Sequence, residues 1–188
     1  MTRLLSTPIG LYKTSVATVE NSLDSWFLGI AARFVFAAVL LPYYLNSALT
    51  KFDGPFSISD SAYYQIALPA VDAAGGDVSA VSFLPWGLMV LLGSYGEAIL
   101  PVLVVLGLFT RIAALGMIGF ILVQSLTDIL VHKVDAGTIG ALFDRFPDSV
   151  IFDQRLLWVF PLLYLAVKGP GFLSLDKILC TVWTRRMR

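Results

Sequence analysis

The stretch FLPWGLMVLLGSYGEAILPVLVVLGLFTRIAALGMIGFILVQSLTDILVH, Phe83–His132, decides the fold. It holds two apolar runs, about Phe83–Gly107 and Thr110–His132, each reaching the roughly 20 residues that a membrane-spanning helix needs. Only the short turn Gly107–Arg111 joins them, so the sequence reads as a tight helical hairpin. Working outward, a run from about Trp26 to Leu49 contains Arg33, and a shorter one covers about Leu156 to Lys168. The last reaches spanning length by recruiting Val150–Arg155 or Gly169–Leu175. The expectation is an all-α membrane protein, a bundle of four transmembrane helices preceded by an N-terminal amphipathic helix at the interface.

Composition agrees. Of 188 residues 57% are hydrophobic and 14% charged, and mean hydropathy is +0.82. An ordinary globular domain carries roughly 45–50% apolar and about 25% charged residues. A soluble chain this small could not hide so much apolar surface. Net charge is zero, which implies no basic patch for nucleic acid. Cys180 is the only cysteine and His132 the only histidine, so the chain offers no internal disulfide, no thiolate set for a metal and no bis-histidine haem site. A redox metal would have to reside in a partner, and no covalently bound cofactor is expected. The first 25 residues lack the apolar core and cleavage site of a signal peptide and are expected to stay in the mature protein.

Charge sets the expected orientation. The N-terminal segment, the Gly107–Arg111 turn and the tail after Val167 carry eight basic residues against three acids. The opposite side carries four basic residues and eight acids. By the positive-inside rule both termini face the cytoplasm, and the setting expected is a bacterial inner membrane. Ahead of the first span, Leu5, Ile9, Tyr12, Val16, Val19, Leu23 and Trp26 share one helical face. Such a helix lies on the lipid surface or packs on a partner subunit; the pattern is the same for both. Ser59-Asp60 reads as the cap of a short loop helix ended by Pro69, and Gly75-Gly76 as a turn. The domains expected are 1–25, the amphipathic surface segment; 26–176, the four-helix transmembrane domain; and 177–188, a basic cytoplasmic tail.

Ionisable side chains within spans are costly, about 2.5–3.5 kcal/mol on insertion scales, so each needs a reason. Arg33 lies seven residues from the start of the first span and Glu97 ten from the end of the second. At ~1.5 Å per residue these depths differ by about 5 Å, which a long arginine covers. A buried Arg33–Glu97 ion pair is therefore expected. Gln124, Asp128 and His132 follow at steps of four and share a face. The stripe climbs toward the outer surface, where Lys51 or Arg155 could balance Asp128. Gln124, Asp128, His132, Lys51 and Arg155 are the candidate site for a quinone headgroup or a proton path. Polar residues also join membrane helices to one another, so a purely structural role stands beside that one. No nucleophile–base pair, phosphate loop or metal-ligand spacing is present.

Several motifs bear a resemblance. Gly96-Glu97-Ala98-Ile99-Leu100-Pro101 leads into Leu106-Gly107-Leu108-Phe109-Thr110-Arg111, the first span closes in Thr50-Lys51-Phe52, and the last exits through Gly169-Pro170-Gly171-Phe172-Leu173-Ser174-Leu175-Asp176. Together, over about Arg33 to Asp176, these resemble the DoxX family of small four-helix membrane proteins. The resemblance implies a four-helix bundle and a membrane subunit of a quinone-linked oxidoreductase system, its electron carrier in a partner. The matching polar positions are Arg33, Lys51, Glu97, Arg111 and Asp176. The long loop after the first span and the extended N-terminus depart from the pattern. Partners expected are membrane lipid and other membrane or redox subunits, and the possible cofactor is a quinone. A non-catalytic anchor or assembly subunit, and a small-molecule transporter, are the alternatives.

Overall fold

The computed structural model describes residues 8–24, 26–54 and 56–187. Helix α1 covers Pro8–Asp24 and α2 Phe27–Leu49; α3 (Asp60–Ile66) and α4 (Leu68–Ala73) occupy the first long loop. Then come α5 (Leu88–Leu106), α6 (Thr110–Leu130), the single turn α7 (Ala136–Ile139), α8 (Leu156–Lys168) and α9 (Leu175–Arg186). Among the described residues four segments are long and apolar enough to cross a membrane: Phe27–Leu49, Phe83–Leu106, Thr110–Leu130 and Val150–Lys168. The second and fourth begin with wide π-type turns, Phe83–Gly87 and Val150–Arg155, that run into α5 and α8. The fourth span thus reaches its length through Val150–Arg155, one of the two extensions the sequence offers. Ser149 starts it: Asp153 accepts hydrogen bonds from the Ser149 N–H and hydroxyl at 2.9 and 2.7 Å.

The four spans form a closed ring in which α2 and α6 each pack against both α5 and α8. The apolar stripes that drive this packing follow helical spacing. Buried on α2 are Phe36, Leu40, Tyr44 and Ala48; on α5, Val90, Ser94, Glu97, Pro101 and Val104. On α6 Thr110, Ala113, Ala114, Met117 and Ile121 turn inward, and on α8 Leu162 and Leu165. Leu100, Leu103, Phe120, Trp158 and Tyr164 are half-buried against this core, while Phe34, Leu92, Ile112, Leu122 and Phe160 are exposed, as a hydrocarbon surround allows. Pro42, Pro101 and Pro161 all lie inside helices.

The loops sharpen two expectations. Pro69 does not end the first loop helix. α3 stops at Ile66, and Pro69 takes the first turn of α4, where a missing N–H costs little. At the start of α7 the Asp135 carboxylate accepts from the Thr138 hydroxyl and from the Thr138 and Gly137 N–H groups, which hold it below the usual carboxylate range. The N-terminal helix exists as α1, and Ile9, Tyr12, Val16 and Val19 of its apolar face are exposed; Leu5 lies outside the described residues. The basic tail is helical: α9 is capped by Ser174, whose hydroxyl oxygen accepts from the Lys177 N–H at 3.2 Å.

Candidate functional site

Polar groups inside the bundle gather in two places. The first is the end from which α2 begins and after which α9 follows. Gly107 closes α5 in the left-handed conformation (φ 68°), which glycine adopts without strain. There the Arg33 guanidinium donates from Nε and Nη2 to the Val105 carbonyl, at 3.1 and 2.5 Å, and from Nη1 to the carbonyls of Leu173 and Pro170. A cation at unpaired carbonyls of a helix C-terminus is favourable. Asp176 does the converse for α6. Its carboxylate accepts from the N–H groups of Phe109 and Thr110 at 2.7 and 2.9 Å, and from the Thr110 hydroxyl at 2.7 Å. The Gly169-Pro170-Gly171 exit packs backbone against backbone: a Cβ on Gly29 would stand 2.7 Å from the Gly171 nitrogen. Arg111 is exposed beside Gly169.

The expected Arg33–Glu97 pair is not formed. Val105 lies eight residues from Glu97, about 12 Å along the helix at ~1.5 Å per residue, and Arg33 is fully engaged at that end. Glu97 pairs instead with Lys51, Nζ to Oε2 at 2.6 Å, both side chains almost completely buried. Lys51 follows the end of α2, where a lysine commonly reaches outward to water. Here it folds back along its own helix, and Nζ also donates to the Ser47 hydroxyl at 3.0 Å. The serine one turn earlier gives the ammonium a partner inside the bundle, so the inward rotamer is satisfied.

Asp128 takes Arg155 rather than Lys51, of the two partners the sequence offered. The Arg155 Nη2 to Asp128 Oδ2 distance is 2.5 Å, and Nη1 donates to the Ser125 hydroxyl at 3.0 Å. The pair bridges α6 to the start of α8, with Arg155 buried. Higher on the stripe, His132 Nε2 lies 3.0 Å from the carbonyl oxygen of Gln65 on α3. Lower, the Gln124 amide donates to the Tyr43 hydroxyl at 3.1 Å, while its buried Oε1 has no hydrogen-bond partner.

Between α5 and α6 runs a cleft of about 510 Å³. Gln124, Asp128 and His132 line one wall, Lys51 and Glu97 lie deep in it, and Met89, Leu92, Leu100, Phe120 and Val123 supply apolar surface. The lining positions on α6 are 116, 119, 120, 123, 124, 127 and 128; on α5 they are 89, 92, 93, 96, 97 and 100. Both sets are single helical stripes, so the cleft is the seam between the two helices. Four of the five candidate residues therefore meet in one cavity. Arg155 stands behind it, held by Asp128. Arg33, Arg111 and Asp176 belong to the other end of the bundle.

Sequence reading missed Ser47, Gln65 and the glycines Gly116 and Gly119, all of which line the cleft. The glycines carried a signal. Gly93 and Gly96 on one helix and Gly116 and Gly119 on the next repeat the same spacing of three, which opens one face on each. Gln65 carried none, because its place depends on how the loop folds over the bundle. Among the described residues no group of three or more His, Cys, Asp or Glu side chains could hold a metal ion.

A family model described as DoxX matches residues 28–133. The match takes in the first three spans and the cleft, and stops before the glycine-rich exit. No curated protein and no solved structure matches the chain.

Proposed function

We propose that this chain, which belongs to the DoxX family, is the integral membrane subunit of a quinone-linked oxidoreductase system and that the α5–α6 cleft receives the quinone headgroup. One observation carries the reading: an apolar-walled cleft in which a buried ion pair, a carboxylate, an imidazole and a glutamine side chain converge. Ligand sites generally combine apolar walls with a few placed polar groups. A bound quinone would supply a two-electron, two-proton couple, its electrons delivered by a carrier in a partner subunit. The chain's own residues do the rest. The Lys51 ammonium would donate to a ring carbonyl of the oxidised form, and a turn of the Gln124 side chain would bring its amide oxygen to a hydroxyl of the reduced form. Asp128 and His132, one turn apart and nearer the loop side, can pass a proton between the cleft and water.

The positive-inside rule supports both termini in the cytoplasm of a bacterial inner membrane, so the cleft opens toward the outer half of the bilayer. Purification in mild detergent followed by lipid extraction tests the reading. Wild-type protein is expected to carry quinone near stoichiometry. A Lys51→Met/Glu97→Leu double variant, which leaves no unpaired charge, is expected to fold and to lose it. Quinone retained by the folded double variant would refute the site. The exposed apolar face of α1 suits either the lipid surface or a partner subunit.

A further inference from the structure

The cleft has an opening at its side as well as at its loop end. Leu92 and Val123 both line it, yet they are 63% and 59% exposed. Leu92 lies nine residues inside the span Phe83–Leu106, and Val123 seven from the end of α6. At ~1.5 Å per residue both stand about 10 Å or more below the span ends, at hydrocarbon depth. An exposed cleft wall at that depth faces lipid. The gap is bordered by the four glycines, and they differ. A Cβ on Gly93 would meet Ile66 at 3.0 Å, and one on Gly116 would meet Leu100 at 3.1 Å. At Gly119 a Cβ would meet nothing within 4 Å. Close helix packing explains the first two and not the last. A glycine inside a helix is unfavourable relative to alanine, so the open space beside Gly119 calls for another account.

We infer that the seam at Gly119 is a lateral portal, through which a polar ring bearing a linear apolar tail enters from the bilayer and leaves its tail lying along the open face of Gly119. This rests on the cleft being the quinone site and adds which quinones it takes: those with an isoprenoid tail, admitted sideways, with Gly119 setting the room for that tail. The ring reaches Lys51, Glu97 and Gln124 while the tail stays in hydrocarbon throughout. No apolar surface has to cross the polar loop end guarded by Gln65 and His132.

The test uses the full chain in phosphatidylcholine nanodiscs, with two probes: a naphthoquinone carrying four prenyl units and the same ring with no tail. Wild type is expected to bind both, the tailed one more tightly. Gly119→Leu should weaken the tailed probe about tenfold or more and leave the bare ring within about twofold. Equal weakening of both, or of neither, overturns the portal while leaving the headgroup site standing. Binding of neither probe by wild type overturns the quinone reading and the portal with it. Should the leucine variant fail to fold, wild type decides. A photoreactive diazirine at the tail terminus is expected to label the Leu92–Val123 seam, and labelling confined to the loops overturns the inference. Equal labelling by a phosphatidylcholine bearing the same diazirine assigns the groove to bulk acyl chains, which also overturns it.

Discussion

Arg33 and Asp176 at one end of the bundle, and Lys51, Glu97, Asp128 and Arg155 toward the other, are all ionisable groups at or inside the spans, and they are satisfied differently. At the terminal end each charge meets backbone. Arg33 takes up carbonyls of α5 and of the exit loop, Asp176 takes up the first N–H groups of α6, and tight glycine contacts surround them. Toward the loop side the charges meet one another, Lys51 with Glu97 and Arg155 with Asp128, and three of the four pairing partners border open space. Lys51 and Asp128 share that border with Glu97. Charge directed at helix ends fixes connections between elements, its hydrogen-bonding capacity taken up by backbone. Charge balanced by charge beside a cavity can be shared with one. The same residue types thus do joinery in one region and, in the proposed function, meet a ligand in the other.

Four perturbations separate the regions. The largest effect is expected at the deep pair. Glu97→Gln strands the Lys51 ammonium in the bundle and should cost about 3–5 kcal/mol, whereas Lys51→Met/Glu97→Leu should recover most of that. Thermal melts in detergent would show it, and two equal losses would mean that the pair is not energetically coupled. Next comes Gly107→Ala. Its Cβ would stand 2.6 Å from that of Ser174 at a positive φ, so a loss of about 1–3 kcal/mol is expected with quinone content per folded molecule unchanged.

Asp176→Ala should cost about 1–2 kcal/mol, the range for a lost helix cap, and here too ligand content should hold. A cap variant that folds but loses quinone would break the distinction between the two ends. The smallest effect is Gly119→Ala. Its methyl enters open space on a helix, so stability should rise by up to about 1 kcal/mol even as it narrows the groove. A clear loss of stability would show that the residue packs against something after all.

Much of this was legible from residue spacing. The three long spans, the tight turn at Gly107 and the four-by-four alignment of Gln124, Asp128 and His132 follow from hydropathy and helical period, which are local properties. So does the burial of Glu97, which keeps helical step with Val90, Pro101 and Val104. The partner of Glu97 was not legible. Depth along the span admits Arg33, and only the packing shows Arg33 already held by the end of α5. The fold-back of Lys51 depends on a rotamer chosen by Ser47 and by the neighbouring helix. Pro69 misled for a similar reason: a proline both ends one helix and begins another, and the chain's path over the bundle selects between them.

The sequence by itself therefore determined that this protein lives in a membrane, that it crosses in four helices, and which side chains lie too deep to be there by default. Hydrocarbon enforces those properties residue by residue, because it cannot solvate a bare peptide group or an unpaired charge. Packing between elements fixed which charge meets which, that Arg33 and Asp176 close helix ends, and that the glycines of two helices line one cleft. Those depend on rotation and offset between helices. Apolar packing in lipid sets both through shape, and no single segment of sequence contains them.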